Sequence, residues 1–275
     1  MTSSFIVLTD FFAVSEQALA YTTALAAVLP ARVVLLHTCH DGLRGPGEKG
    51  SLRTEWNKQQ KRRHLTQLAG AQPVPTELVV SEEFFPDAVR QTVRAHQGQL
   101  LVLGQPGATE QPVEVVTGVA MELLQQALCP VLVVPGPASA ATGGLPRRLL
   151  LALDGQPFDL LPLSDLVRQL LSDPPAALEV VYVISPELSR PDPVAVLSTL
   201  RIHDMVPPLP LSRLHLPHTA DVAAGILAEA VRQQADMLVV VARHHSLIGS
   251  LFHRSVTAQL LEQSPIPVLA LPARD

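Results

Sequence analysis

Cysteine is nearly missing from this sequence: Cys39 and Cys129 are the two copies in 275 residues. That is too few for a disulfide framework or a cysteine-built zinc site, and burial as small apolar side chains is the expected role of both. Aromatic residues are scarce as well, at 4%, so a core must be assembled from Val, Leu and Ala. No apolar run approaches the roughly 20 residues that cross a bilayer. The first residues, MTSSFIVLTDFF, lack the charged start and longer apolar stretch of a signal peptide. A soluble, cytoplasmic protein that does not engage a membrane is the expectation. An excess of one charge is missing too, since the net charge is -5, too small to suggest a nucleic-acid binder or an acidic tail. On that balance the basic run from Asn57 to His64 reads as one solvated helix face. There is no Walker-type GxxxxGK(S/T) loop, and no Ser or Cys in a nucleophile setting accompanies Asp10 and His37. No dedicated enzyme is expected.

What the sequence does contain is a repeat. Residues 123–135 read LLQQALCPVLVVP and residues 260–272 read LLEQSPIPVLALP, 137 positions apart. Each is the end of an amphipathic helix, a Pro-containing turn and a short apolar strand. Another apolar strand precedes each copy, at 100–104 and 237–241. A block recurring at almost half the chain length marks a duplicated domain, and the length suits two domains of about 130–140 residues. The expected division is a first domain over 1–136, a linker rich in small residues, Pro and Gly over 137–146, and a second domain over 147–275.

Within the first half, apolar runs at 5–8, 33–37, 77–80, 100–103 and 131–134 predict five strands. Helical spacing or composition between them predicts helices over 15–29, 53–68, 86–97 and 118–128. The second half restarts with strands at 149–153, 178–184, 214–216, 237–241 and 268–271, and a helix over 220–233. Many prolines make the helix within 186–213 short and irregular. Continuous aliphatic strands, each followed by a long crossover, predict a parallel sheet buried on both faces in each half.

The segments IVLTDF, VVLLHT, LLVLGQPG and VAMELLQQALCPVLVVPG, followed by LLLALDG, LEVVYVI and LVVVARHHSLIGSLFHRSV, resemble the universal stress protein family in a tandem two-domain form. The resemblance covers nearly the whole chain, once per half. It implies an α/β fold of two repeated doubly wound domains, Rossmann-like and similar to the adenine nucleotide alpha hydrolases, each with a five-stranded parallel sheet. It also implies a stress-associated binding or regulatory role.

Nucleotide-binding members of that family carry, after the fourth strand, Gly, two residues, Gly, nine residues, then Gly and Ser or Thr. Glycines there let backbone amides approach phosphates at a helix N-terminus. In the first half Gly104 and Gly107 match the opening pair, but the closing pair is inverted to Thr117-Gly118, and Glu110 and Glu114 would repel phosphates. The resemblance places ATP or AMP, with Mg²⁺, against Thr9, Asp10, Thr38, Leu103, Gly104, Gly107, Thr117, Gly118 and Val119. In the second half the matching positions are Asp154, Ala242, Ser255 and Val256. There Ala242 replaces the first glycine, His244-His245 the second, and Arg254 the third, so the standard nucleotide mode is not expected. His244, His245, His253 and Arg254 read as a polar loop; three histidines without an acidic neighbour do not make a metal site.

Each final strand, 131–134 and 268–271, is an apolar sheet edge that invites pairing. In a tandem chain the two can pair with each other, and further dimerisation of the chain is compatible with that. Two other readings compete: a slow ATPase or nucleotide-dependent switch using the first half, and a nucleotide-independent scaffold whose clefts are filled by its own side chains. No residue pattern specifies a protein client.

Overall fold

The computed structural model describes residues 3–9, 13–29, 31–38, 52–83, 85–105, 113–126, 128–136, 145–156, 159–160, 164–171, 176–186, 192–201, 209–243 and 255–274. The first half runs β1 (Ser3–Leu8), α1 (Ala13–Val28), β2 (Ala31–Thr38), α2 (Leu52–Gly70), β3 (Thr76–Ser81), α3 (Phe85–His96), β4 (Gly98–Gly104), α4 (Val113–Gln125) and β5 (Val131–Val134). The second runs β6 (Arg148–Ala152), β7 (Asp159–Leu160), α5 (Ser164–Leu170), β8 (Ala177–Val181), α6 (Pro193–Arg201) and β9 (Leu214–His215). It closes with α7 (Val222–Arg232), β10 (Met237–Arg243), α8 (Val256–Gln263) and β11 (Val268–Arg274). A single 3-10 turn, Leu211–Arg213, leads into β9.

All these strands lie in one sheet, in the order β3-β2-β1-β4-β5-β11-β10-β6-β8-β9. Neighbours in that order are parallel within each half, and the two five-strand orders mirror one another about the centre. The halves meet where β5 pairs antiparallel with β11, Leu132 opposite Leu269 and Val133 opposite Val268. The short strand β7, which no sequence pattern announces, continues that edge by pairing antiparallel with the far end of β11.

Alternation along each strand sorts the side chains onto two faces. Phe5, Val7, Val33, Leu35, Leu100, Val102, Leu132 and Leu269 face one core, with residues of α1, α2, α5 and α6. Ile6, Val34, Leu36, Leu101, Leu103, Val131, Val133 and Val268 face the other, with α3, α4, α7 and α8. Both cores therefore run through both halves. At the seam Val131, Leu132, Val133, Val268, Leu269 and Ala270 are each no more than 2% exposed. Burial of a Val or Leu side chain stabilises by about 1.5–3 kcal/mol, so the junction contributes as much as an ordinary core.

The duplication extends to backbone detail. Both α3 and α7 are closed by a glutamine in the left-handed region, Gln97 and Gln234, each at φ 52, a conformation that commonly ends helices. The basic run of α2 lies on an exposed stretch from Gln59 to His64, with Leu65 just beyond it buried.

One expected boundary is wrong. The last helix of the first half starts at Val113, not at 118, and ends at Gln125. Val116, Val119, Ala120, Leu123 and Leu124 form one apolar stripe at helical spacing against the second core. That stripe begins before Gly118, so packing starts the helix more than a turn earlier. Thr117 and Gly118 consequently sit inside α4, not at its N-terminus.

Candidate cleft at the strand ends

In each half the sheet order reverses between the first strand and the fourth, β1 beside β4 and β6 beside β10. Crossovers leave to opposite faces at such a point, which opens a crevice beyond the carboxyl ends of the strands. The two crevices are built from the same elements and carry different side chains.

In the first half, Thr9 follows β1 and is buried, its N–H donating to the carbonyl of Leu36 at 3.0 Å. His37 Nδ1 lies 3.2 Å from the carbonyl oxygen of Thr9, so the ring is held against backbone beside the cleft. Thr38 ends β2 opposite Ser81 of β3, one strand further out. Leu103 is buried in the second core, and Gly104 ends β4 opposite Val134. Gln105 comes next: its N–H donates to the carbonyl of Val134 at 2.7 Å. Its side-chain amide donates across the seam to the carbonyl of Glu262 on α8. From α4, Thr117 is buried, Val119 is half-buried against the core, and Gly118 faces outward with open space where a Cβ would stand. Asp10 and Gly107 lie outside the described residues, as do Glu110, Cys39, His244, His245, His253 and Arg254.

In the second half, Val241 lies opposite Leu271 as Gly104 lies opposite Val134, so Val241, not Ala242, takes the place of the first glycine. Ala242 matches Gln105, and Arg243, the last residue of β10, matches Pro106. Its guanidinium grips Asp154 with two charge-assisted bonds, Nε to Oδ2 at 2.6 Å and Nη2 to Oδ1 at 2.9 Å. A third bond, at 2.6 Å, reaches the carbonyl of Gln156. The Gln156 N–H in turn donates to Asp154 Oδ1 at 3.0 Å. Forked geometry of this kind is the strong form of an Arg–carboxylate pair. The turn is fixed further by Gly155, at φ +72, where a Cβ would come within 2.9 Å of the Tyr182 ring. Asp154 is thus occupied by its own chain.

Ala242 is buried in the second core, Ser255 is the N-cap residue of α8, and Val256 is its first residue and partly exposed. The Ser255 side chain makes no capping bond. Together with Asp154 and Arg243 these α8 residues line a cavity of about 210 Å³, walled also by Leu153, Val222, Ile226, Val240 and Leu260. Sequence reasoning missed Arg243 and Gln105. The signal was available in the 137-residue repeat, as a cation at the position of Pro106.

Among the described residues no group of His, Cys, Asp and Glu is arranged to hold a metal ion. No helix there is long and apolar enough to cross a membrane.

A family model described as the universal stress protein family matches residues 1–135 and 216–272. No curated protein matches the sequence. Among solved structures, a universal stress protein from Archaeoglobus fulgidus is similar over 99% of this chain and 97% of its own, with a TM-score of 0.69 at 16% identity. A functionally unknown protein from Pseudomonas aeruginosa is similar over 98% of this chain and 92% of its own, with a TM-score of 0.55 at 17% identity. The cytoplasmic domain of a prokaryotic cation chloride cotransporter follows the same course over 99% of this chain and 96% of its own, with a TM-score of 0.51 at 11% identity. At such identities the likeness is one of fold, and one fold hosts many functions.

Proposed function

The chain belongs to the universal stress protein family, and on that footing we propose that it is a stress-associated regulatory protein with one adenine-nucleotide site. The site lies in the first half; the second half is a scaffold that takes no nucleotide. The observation that carries this reading is the Arg243 clamp on Asp154, which has no counterpart cation in the first half. The position from which Arg243 ties up Asp154 holds Pro106 in the first half, and the neighbouring Gln105 amide is turned to Glu262 across the seam. Asp10 therefore meets no guanidinium from that position and is left to a ligand.

Thr9, Asp10 and Thr38 would hold the adenosine end, and Gly104 and Gly107 would let backbone amides meet the phosphates. Mg²⁺ would accompany those phosphates and offset their charge. Because Thr117 and Gly118 sit within α4, their help to the phosphate end is reduced, and AMP is expected to bind about as well as ATP. Binding, not chemistry, is the role this geometry supports. The domain division 1–136 and 147–275 follows the same lines, with the β5–β11 seam acting as the dimer contact within one chain.

Native mass spectrometry of the full chain with ATP or AMP at millimolar concentration and Mg²⁺ tests the reading. One nucleotide per chain is expected, and none in Asp10→Ala. No binding at millimolar ligand overturns the proposal, and two nucleotides per chain overturn the silence assigned to the second half.

A further inference from the structure

The cavity of the second half has features that a merely filled-in nucleotide cleft would lack. Its walls are largely aliphatic, with Val222, Ile226, Val240 and Leu260 among them. Ile226 and Leu260 are otherwise buried, at 5% and 1% exposure. Into this lining the chain brings two uncharged polar side chains, Ser255 and Thr257. The Ser255 hydroxyl oxygen is buried and has no hydrogen-bond partner among the described residues. A buried hydroxyl left unpaired is unfavourable, and an incoming donor or acceptor relieves that. At the rim the Asp154 carboxylate is neutralised by Arg243, so the site offers no unbalanced charge to an ion.

Size narrows the ligand. An apolar cavity of about 150 Å³ accommodates benzene, and drug-sized ligands need about 300–1,000 Å³. The 210 Å³ of this cavity falls between, enough for roughly eight to ten non-hydrogen atoms. A nucleoside phosphate does not fit.

The geometry points to a binding site, in the second half, for a small neutral molecule that is mostly apolar and carries a single hydroxyl, of the class of phenols and short alcohols. The apolar body lies against Ile226, Val240 and Leu260, and the hydroxyl pairs with Ser255. This rests on the reading that the second half takes no nucleotide, and gives that half a ligand of its own.

Phenol is the probe, titrated into the full chain with methyl-labelled Ile, Leu and Val and followed by NMR. Saturable shifts are expected at Ile226, Val240 and Leu260. Benzene should shift the same methyls with about 5–10-fold weaker affinity, the difference being the hydroxyl pairing. Ser255→Ala should bring the two probes to equal affinity, and Ile226→Trp, which fills the cavity, should remove both responses. No saturable shift up to the solubility of phenol overturns the inference, as does an unchanged phenol preference in Ser255→Ala. Should Ile226→Trp not fold, the Ser255→Ala comparison decides alone. AMP is titrated separately and read at the amides of Gly104 and Gln105. Silence there rejects the nucleotide reading of the first half and leaves the phenol result standing, whereas AMP displacing phenol overturns this inference.

Discussion

Gln105 and Arg243 stand one register position apart at the end of the fourth strand in the two halves, and do opposite things. Gln105 turns its amide to the other half and bonds the Glu262 carbonyl. Arg243 stays within its own half and holds Asp154 and the Gln156 carbonyl. Around them the backbone is nearly the same in both copies, from the mirrored strand order to the paired left-handed glutamines at 97 and 234. Packing has been kept while cleft chemistry has diverged. The reason is physical: a strand in a shared core is constrained by every neighbour, whereas a side chain just past its end answers only to whatever sits in the crevice.

The comparison breaks first at the seam. If the halves are equal partners in one core, Leu132→Ala and Leu269→Ala should each destabilise by about 2–5 kcal/mol. The double variant should cost less than the sum, because these residues face each other across the pairing and contacting sites do not add. Urea denaturation measures this, and one variant costing far less than the other would mean that the halves fold separately. Next comes the exchange of the distinguishing residue. Pro106→Arg should weaken AMP binding at least about tenfold, or 1.4 kcal/mol, by giving Asp10 a guanidinium. Arg243→Gln should free Asp154 without creating a second site, since Val241 stands at the first glycine position and the other glycines are missing. Calorimetry reads both; nucleotide binding gained by Arg243→Gln would show that the clamp alone silences that half.

The smallest effect concerns the turns before the final strands, where the first half has Cys129 and the second Ile266. Burial raises the Cys129 thiol from 9.0 to about 12. It also pushes the Tyr21 phenol well above its usual range, with a lesser contribution from the Asp236 carboxylate. The folded chain then keeps protons that the unfolded chain gives up. That stability is fully present below pH 9 and is lost as pH rises towards 12. At pH 10 the thiol should account for on the order of 1 kcal/mol. Urea midpoints at pH 7 and pH 10 should show a smaller alkaline loss in Cys129→Ala than in the parent, and equal losses would exonerate the thiol.

Much of the architecture was legible because strands buried on both faces must be continuous aliphatic runs. All five strands of the first half are where such runs lie, and the strands 131–134 and 268–271, read as paired edges, lie side by side in the sheet. Less of the cleft was legible. The start of α4 was misplaced because the inverted Thr117-Gly118 was given the role of a helix start, when the stripe beginning at Val116 sets the helix. The Arg243–Asp154 pair joins residues 89 positions apart, and no local period encodes such a contact. Strand β7 has two residues, too few for any alternation to show.

The antiparallel junction of β5 and β11 has one more consequence, which concerns freedom to change. Two separate copies of one polypeptide carry every substitution twice, so a cleft cannot be lost from one without being lost from the other. Here the two clefts belong to a single polypeptide, and the encounter of the halves is intramolecular, independent of how dilute the protein is. A substitution such as Arg243 could therefore enter one crevice while the other kept a neutral residue. The tether that makes association automatic also released the two halves from having to remain alike.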